Sequence, residues 1–225
     1  MIRTFLKAPY SECIMESRYP RFLMFTRLFS MVFLIFLLTS YLIMNTGAFF
    51  LFLTDWGLTF TTLYFILINL NYKIPKMHKL CIVFLHTLWN LEFLISIIFW
   101  TSLYVLSFTD DITFIMLSVP THGILVILVG FDLWLSKAYC RRIWVIVPCF
   151  ICLIYGLSLN LPYTIAVKPI YPSIKYTNIT TYLIFIYTMI LLSLSNEICC
   201  RATRRRRRVA YEREHAMLEP FTIKI

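Results

Sequence analysis

Apolar and polar positions fall along this chain in blocks, six long apolar runs parted by short polar turns. A helix that crosses a bilayer needs about 20 mostly apolar residues at about 1.5 Å of rise each, and each run is close to that length. The pattern predicts helices over Leu28–Ile43, Phe49–Leu70, Leu80–Leu106, Ile112–Leu135, Ile143–Val167 and Ile179–Cys199. The expected fold is therefore an all-α integral membrane protein, a bundle of six transmembrane helices. Its parts are an N-terminal tail (1–27), the membrane domain (28–199) and a basic C-terminal tail (200–225). The first apolar run is too long for a secretory leader and lacks a small-residue cleavage pattern, so it is expected to be retained.

Charge sets the expected orientation. Arg3, Lys7, Arg18, Arg21 and Arg27 precede the first run, Lys73, Lys76 and Lys79 follow the second, and Lys137, Arg141 and Arg142 follow the fourth. Arg201 and Arg204–Arg208 follow the sixth, while the alternate connections are poor in cations. The positive-inside rule then places both termini in the cytoplasm. It also puts the sequon Asn178-Ile179-Thr180 outside, as a candidate glycosylation site.

With 60% hydrophobic and 14% charged residues, the chain departs from soluble domains, in which about a quarter of residues are charged. The net charge of +10 lies in tails and alternate loops, so it points to anionic lipid at the C-terminal tail and to no nucleic acid. None of the seven cysteines falls in an outer segment, so no disulfide framework is expected. Cys140, Cys199 and Cys200, at helix ends beside arginine, are palmitoylation candidates. The Cys149/Cys152 pair sits inside an apolar run, and neither a metal nor a cofactor is expected.

Ionisable and nucleophilic groups at membrane depth are costly and mark function. Thr54 and Asp55 stand in the second run and His122 in the fourth. On a helix, Thr54, Gly57, Leu58 and Thr61 share a small, polar face suited to close packing, whereas Asp55 points about 100° away. The plain structural reading has Thr54 bonding its own helix backbone, as threonines in spanning helices do. Pro120 bends the fourth helix beside His122, and Ser118 lies one turn before it. By rise alone Thr54 lies about 7 Å and His122 about 15 Å below the outer surface, both in the outer half. A threonine hydroxyl needs a base to attack an ester, and neutral imidazole is suited to that role. Glu92 is the candidate to orient the imidazole, with Asp55 and Ser118 as further pocket candidates. His86 and Asn90, one turn apart, suggest a local hydrogen-bonded pair, and Asp132 and Glu197 suggest anchoring to Arg141, Arg142 and Arg201. There is no Walker loop, dinucleotide fingerprint, HExxH pair or GxSxG elbow.

The segment Leu53-Thr54-Asp55-Trp56-Gly57 resembles the LTNW signature of the androgen-induced gene and rolling stone family of six-span proteins. So do Phe99-Trp100-Thr101-Ser102-Leu103, Thr121-His122-Gly123 followed by Asp132, and Ile170-Tyr171-Pro172. The resemblance covers roughly residues 21–199. It implies a threonine hydrolase of lipid esters such as fatty acid esters of hydroxy fatty acids, with Thr54 as nucleophile and His122 as base. Asp55 stands where that signature has Asn. The rolling stone branch implies the alternative, a non-catalytic membrane component of myoblast fusion. A channel or transporter using Asp55, Glu92 and His122 is a third reading. Expected partners are membrane lipids and a lipid ester substrate, in the plasma membrane or endoplasmic reticulum.

Overall fold

The computed structural model describes residues 17, 19–44, 50–70, 74–103, 118–167, 170–171 and 179–218. Six helical rods make up nearly all of them. They are α1 (Pro20–Met44), α2 (Leu53–Leu70) and α3 (Pro75–Ile98, extended by a π turn over Phe99–Leu103). Then come α4 (a π turn over Pro120–Ile124, then Leu125–Leu135) and α5 (Arg142–Val145, Ile146–Tyr155, a π turn over Gly156–Asn160, and Leu161–Ala166). The last is α6 (Ile179–Leu218). Among the described residues no strand forms beyond a single bridge between Ser17 and Ser136.

Four helices are long and apolar enough to cross a membrane: Pro20–Met44, Met77–Thr101, Arg142–Ala166 and Thr181–Arg206. The protein is thus an all-helical membrane protein. Of the remaining two, α2 carries a polar first half, and the described part of α4, Pro120–Leu135, is shorter. The expected span ends at residues 104–106 and 112–117, and Asn178, lie outside the described residues.

The packing is inside out relative to a soluble protein. Phe22, Phe25, Phe29, Phe36 and Ile43 of α1 point outward, as do Ile186, Ile190 and Leu194 of α6. Inside are Arg27, Asp55, Thr61, His86, Asn90, Glu92 and Asp132. Where lipid and core are equally apolar, burial of hydrocarbon cannot select helix partners, and small or polar contacts do so instead. The central element is α3, which packs against α2, α4, α5 and α6. Its spanning window is 61% buried, against 22–33% for the other three.

The contacts also fix direction. Thr54 meets His122 and Tyr64 meets Asp132, so α2 and α4 run parallel with a constant offset of 68 residues. Phe99 meets His122 while Trp89 approaches Gly130, so α3 runs opposite to α4. The cation-bearing helix ends therefore gather at one end of the bundle and the Thr54–His122 pair stands toward the other.

The first helix begins at Pro20, eight residues before the expected Leu28. Arg27, read from sequence as a cation ahead of the membrane, is buried instead, its Nε 2.6 Å from Asp132 Oδ1 and its Nη2 3.3 Å from Oδ2. Tyr64 donates its hydroxyl proton to Asp132 Oδ2. Asn69 ties the Arg27 carbonyl to the end of α2 at 3.2 Å. Asp132 thus pairs with Arg27 and Tyr64 rather than with the loop arginines. Glu197 does bind Arg142 and Arg201, each at 2.8 Å.

The last apolar run is expected to end at Cys199, with a basic tail over 200–225, yet α6 continues through Arg204–Arg208 to Leu218. Arginine, alanine and glutamate favour helix, which carries the rod on once the apolar run ends. Arg206 donates to the carbonyls of Leu133, Trp134 and Ser136 at 3.0, 2.8 and 3.3 Å, and so caps the C-terminus of α4.

Removing one partner of a buried ion pair leaves the other charge uncompensated. Asp132→Asn is expected to destabilise the bundle by about 3–5 kcal/mol, read as a lowered thermal transition in detergent. Glu197→Gln, at a half-buried carboxylate whose arginine partners are exposed, should change it little.

Candidate active site

Three bonds at the top of α2 place Thr54. Phe50 adopts φ 73°, a left-handed conformation that costs a side-chain-bearing residue about 1–2 kcal/mol. The turn is held by Trp56 Nε1–H on the Phe50 carbonyl (3.0 Å) and the Tyr155 hydroxyl on the Leu51 carbonyl (2.7 Å). The Leu53 N–H donates to the Tyr171 hydroxyl at 3.1 Å. An outlier over-determined in this way fits a segment whose position matters.

Thr54 is the second residue of α2, nearly buried, and its Oγ1 lies 3.1 Å from His122 Nε2. Thr59 and Thr62, by contrast, bond the carbonyls four residues back, at 2.8 and 2.7 Å. Thr54 therefore departs from the habit of its neighbours. The sequence had set it some way above His122. The structure brings the two together, because α2 starts only at Leu53 and His122 lies in the first described turns of α4.

The other ring nitrogen decides what His122 can do. Nδ1 lies 3.0 Å from the Ser118 carbonyl, which can only accept, so Nδ1 carries the proton. Nε2 is then left with a lone pair, and the Thr54 hydroxyl donates to it. Thr121 Oγ1, 3.0 Å from Nδ1, is a second acceptor for that proton. The Phe99 ring stacks on the imidazole at 3.6 Å and 18°, and Trp100 Nε1–H holds the His122 carbonyl at 3.3 Å. Pro120, lacking an N–H, opens the wider π turn, in which the Leu125 N–H reaches the Pro120 carbonyl. A fixed tautomer, a seated ring and a hydroxyl donor are what the chemistry of a nucleophile–base pair requires.

The other candidates separate. Ser118 contributes its carbonyl to the ring. Glu92 does not orient His122: it accepts from Thr61 Oγ1 at 2.7 Å and sits against Gly57. Glu92 is seven residues before Phe99, so it lies about 10 Å down α3 from the imidazole. Asp55 is buried at the start of α2, where the backbone of Phe50 and Phe52 approaches its carboxylate and no side chain among the described residues bonds it. His86 and Asn90 do meet, Asn90 Nδ2 bonding the His86 carbonyl at 2.9 Å.

Tyr171 gained no role from sequence beyond a place in a motif, yet its ring packs edge-on to Phe52 and its hydroxyl stands beside the backbone of Leu53. Tyr155 and Tyr171 have hydroxyls 3.5 Å apart, too far for a firm bond, and Tyr155 spends its proton on Leu51. Among the described residues the Tyr171 O–H meets no other acceptor. A shallow apolar groove on α6, lined by Phe185, Ile186, Met189, Ile190, Ser193 and Leu194, involves none of these groups.

The cysteines correct the sequence reading. Cys140 and Cys200 form a disulfide, with their Cα atoms 4.7 Å apart, although no disulfide was expected. Sixty residues separate them in the chain, and the loop between α4 and α5 folds Cys140 onto α6. Neither thiol is then open to acylation.

No family model matches this chain, and neither curated proteins nor solved structures match it.

A Cβ on Gly57 would stand 2.9 Å from both Glu92 Oε1 and Ile95 Cδ1. Gly57→Ala is expected to push α2 off α3 and cost about 1–3 kcal/mol, measured as thermal stability in detergent.

Proposed function

We propose that this protein is an intramembrane threonine hydrolase of lipid esters such as fatty acid esters of hydroxy fatty acids. In this reading the chain spans the bilayer six times, with both termini cytoplasmic, in the plasma membrane or endoplasmic reticulum. The observation that carries it is the 3.1 Å contact between Thr54 Oγ1 and His122 Nε2, with Nδ1 committed to the Ser118 carbonyl. A packing threonine would need neither that tautomer nor that partner.

Thr54 Oγ1 attacks the ester carbonyl as its proton passes to His122 Nε2. The imidazolium is held by the Ser118 carbonyl, the service a carboxylate gives in a serine triad. Collapse of the tetrahedral intermediate expels the alcohol, which takes the proton from Nε2 and leaves an acyl ester on Thr54. Water then attacks that ester, gives a proton to Nε2, and releases the carboxylic acid with Thr54 restored. The Tyr171 hydroxyl, beside Leu53, is the donor for the oxyanion. Acyl chains arrive laterally from the lipid, and the exposed Arg204 and Arg205 meet anionic headgroups.

Labelling by a fluorophosphonate lipid probe tests the pair. Thr54→Ala and His122→Ala should each lower labelling by at least about 10²-fold at equal expression, and Thr54→Ser should retain it. Undiminished labelling of Thr54→Ala sinks the assignment. For Tyr171→Phe, kcat should fall by about 10²-fold with KM little changed, in ester hydrolysis by the purified protein.

A further inference from the structure

Away from Thr54 and His122, toward the cation-bearing end, three chain segments bring a histidine and three cysteines together. His86 on α3 presents Nε2 2.7 Å from Cys140 Sγ, in the loop between α4 and α5. The ligand atoms of His86, Cys140 and Cys199 all lie within 4.8 Å of one another. Cys200, the next residue on α6, is bonded to Cys140. His86, Cys199 and Cys200 are each at most 2% exposed. From His86 to Phe99 is about 20 Å along α3, so this cluster is separate from the proposed active site.

We propose that, with the Cys140–Cys200 bond reduced, His86, Cys140 and Cys199 bind a zinc ion, with Cys200 completing a Cys3His tetrahedron. Zinc bonds sulfur at about 2.3 Å and imidazole nitrogen at about 2.0–2.1 Å, so tetrahedral ligand atoms stand about 3.6–3.8 Å apart. That spacing falls inside the cluster as it stands. Sulfur with one imidazole selects zinc over magnesium or calcium, which take oxygen.

The surroundings hold the donors in place. The Cys140 N–H donates to Thr203 Oγ1 at 3.3 Å, and Thr203 donates to the Cys199 carbonyl at 2.9 Å. The Trp144 ring packs edge-on to His86 with centroids 5.5 Å apart. Arg206 lies within electrostatic reach of Cys199. Zn2+ with three thiolates and a neutral imidazole carries a net charge of −1, and Arg206 opposes it.

The cluster therefore has two covalent states. In one, Cys140 and Cys200 are joined, and only His86 and Cys199 remain as donors, too few for a closed zinc site. A dithiol reductant converts it: the dithiol loses two electrons and becomes a cyclic disulfide, and Cys140 and Cys200 become thiols. Zinc then displaces three thiol protons to solvent. The reading is independent of the hydrolase assignment, since no atom is shared.

The test uses the full-length protein, purified in detergent and reduced with a phosphine that is then removed. Titration with Co2+ should give thiolate-to-cobalt charge-transfer absorption at a stoichiometric end point, reversed by Zn2+. Cys199→Ser and His86→Gln should each weaken binding by at least about 10²-fold, and Cys152→Ser should not. In wild type, Zn2+ should protect Cys140, Cys199 and Cys200 from alkylation, read by mass spectrometry, which needs no variant to fold. Reduced wild-type protein showing no charge-transfer band and no protection overturns the proposal and leaves a disulfide only.

Discussion

The buried ion pair of Arg27 with Asp132, closed by the Tyr64 hydroxyl, is the constraint on which the Thr54–His122 end of the bundle depends. Inside a bilayer, hydrocarbon has little to gain by leaving lipid for protein, so a charged contact sets helix register where greasy packing would allow sliding. Tyr64 to Asp132 and Thr54 to His122 share one offset of 68 residues. Ten residues of helix, about 15 Å, separate the two contacts on both α2 and α4. The register that satisfies the carboxylate therefore also brings the hydroxyl to the imidazole. A slip of one turn would break both.

Much of the helical organisation was legible as apolar run lengths, and the errors have physical causes. Arg27 stood ahead of the first run in the sequence reading, since a lone arginine is expensive in lipid. A partner 105 residues away removes that objection, and a one-dimensional pattern cannot display such a partner. The end of α6 was misplaced for the opposite reason. Hydropathy falls at Cys199, but helix propensity does not.

At the candidate site, residue types were more legible than roles. A hydroxyl and an imidazole expected in the same half of the bundle suggested a pair, and the structure places them in hydrogen-bond contact. The orienting group was sought among carboxylates, and Glu92 was the nearest in kind. The observed acceptor is a main-chain carbonyl, and every residue owns one, so composition carries no sign of it. Tyr171 was hidden similarly: its hydroxyl matters through the Leu53 backbone, 118 residues away. The thiol and imidazole groups near Cys140 have no local spacing at all, since their positions, 86, 140, 199 and 200, fit no short metal-binding motif.

The single unbroken rod of α6 has a mechanical consequence. Forty helical residues span about 60 Å, roughly twice the thickness of a hydrocarbon layer. With Arg206 clamped to the end of α4, the rod is braced near the point where it leaves the apolar zone, as a mast is stepped at deck level. Whatever attaches to its tip is held at a set distance from that brace, and a sideways pull there is transmitted as torque to Cys199 and Cys200 near the middle of the rod.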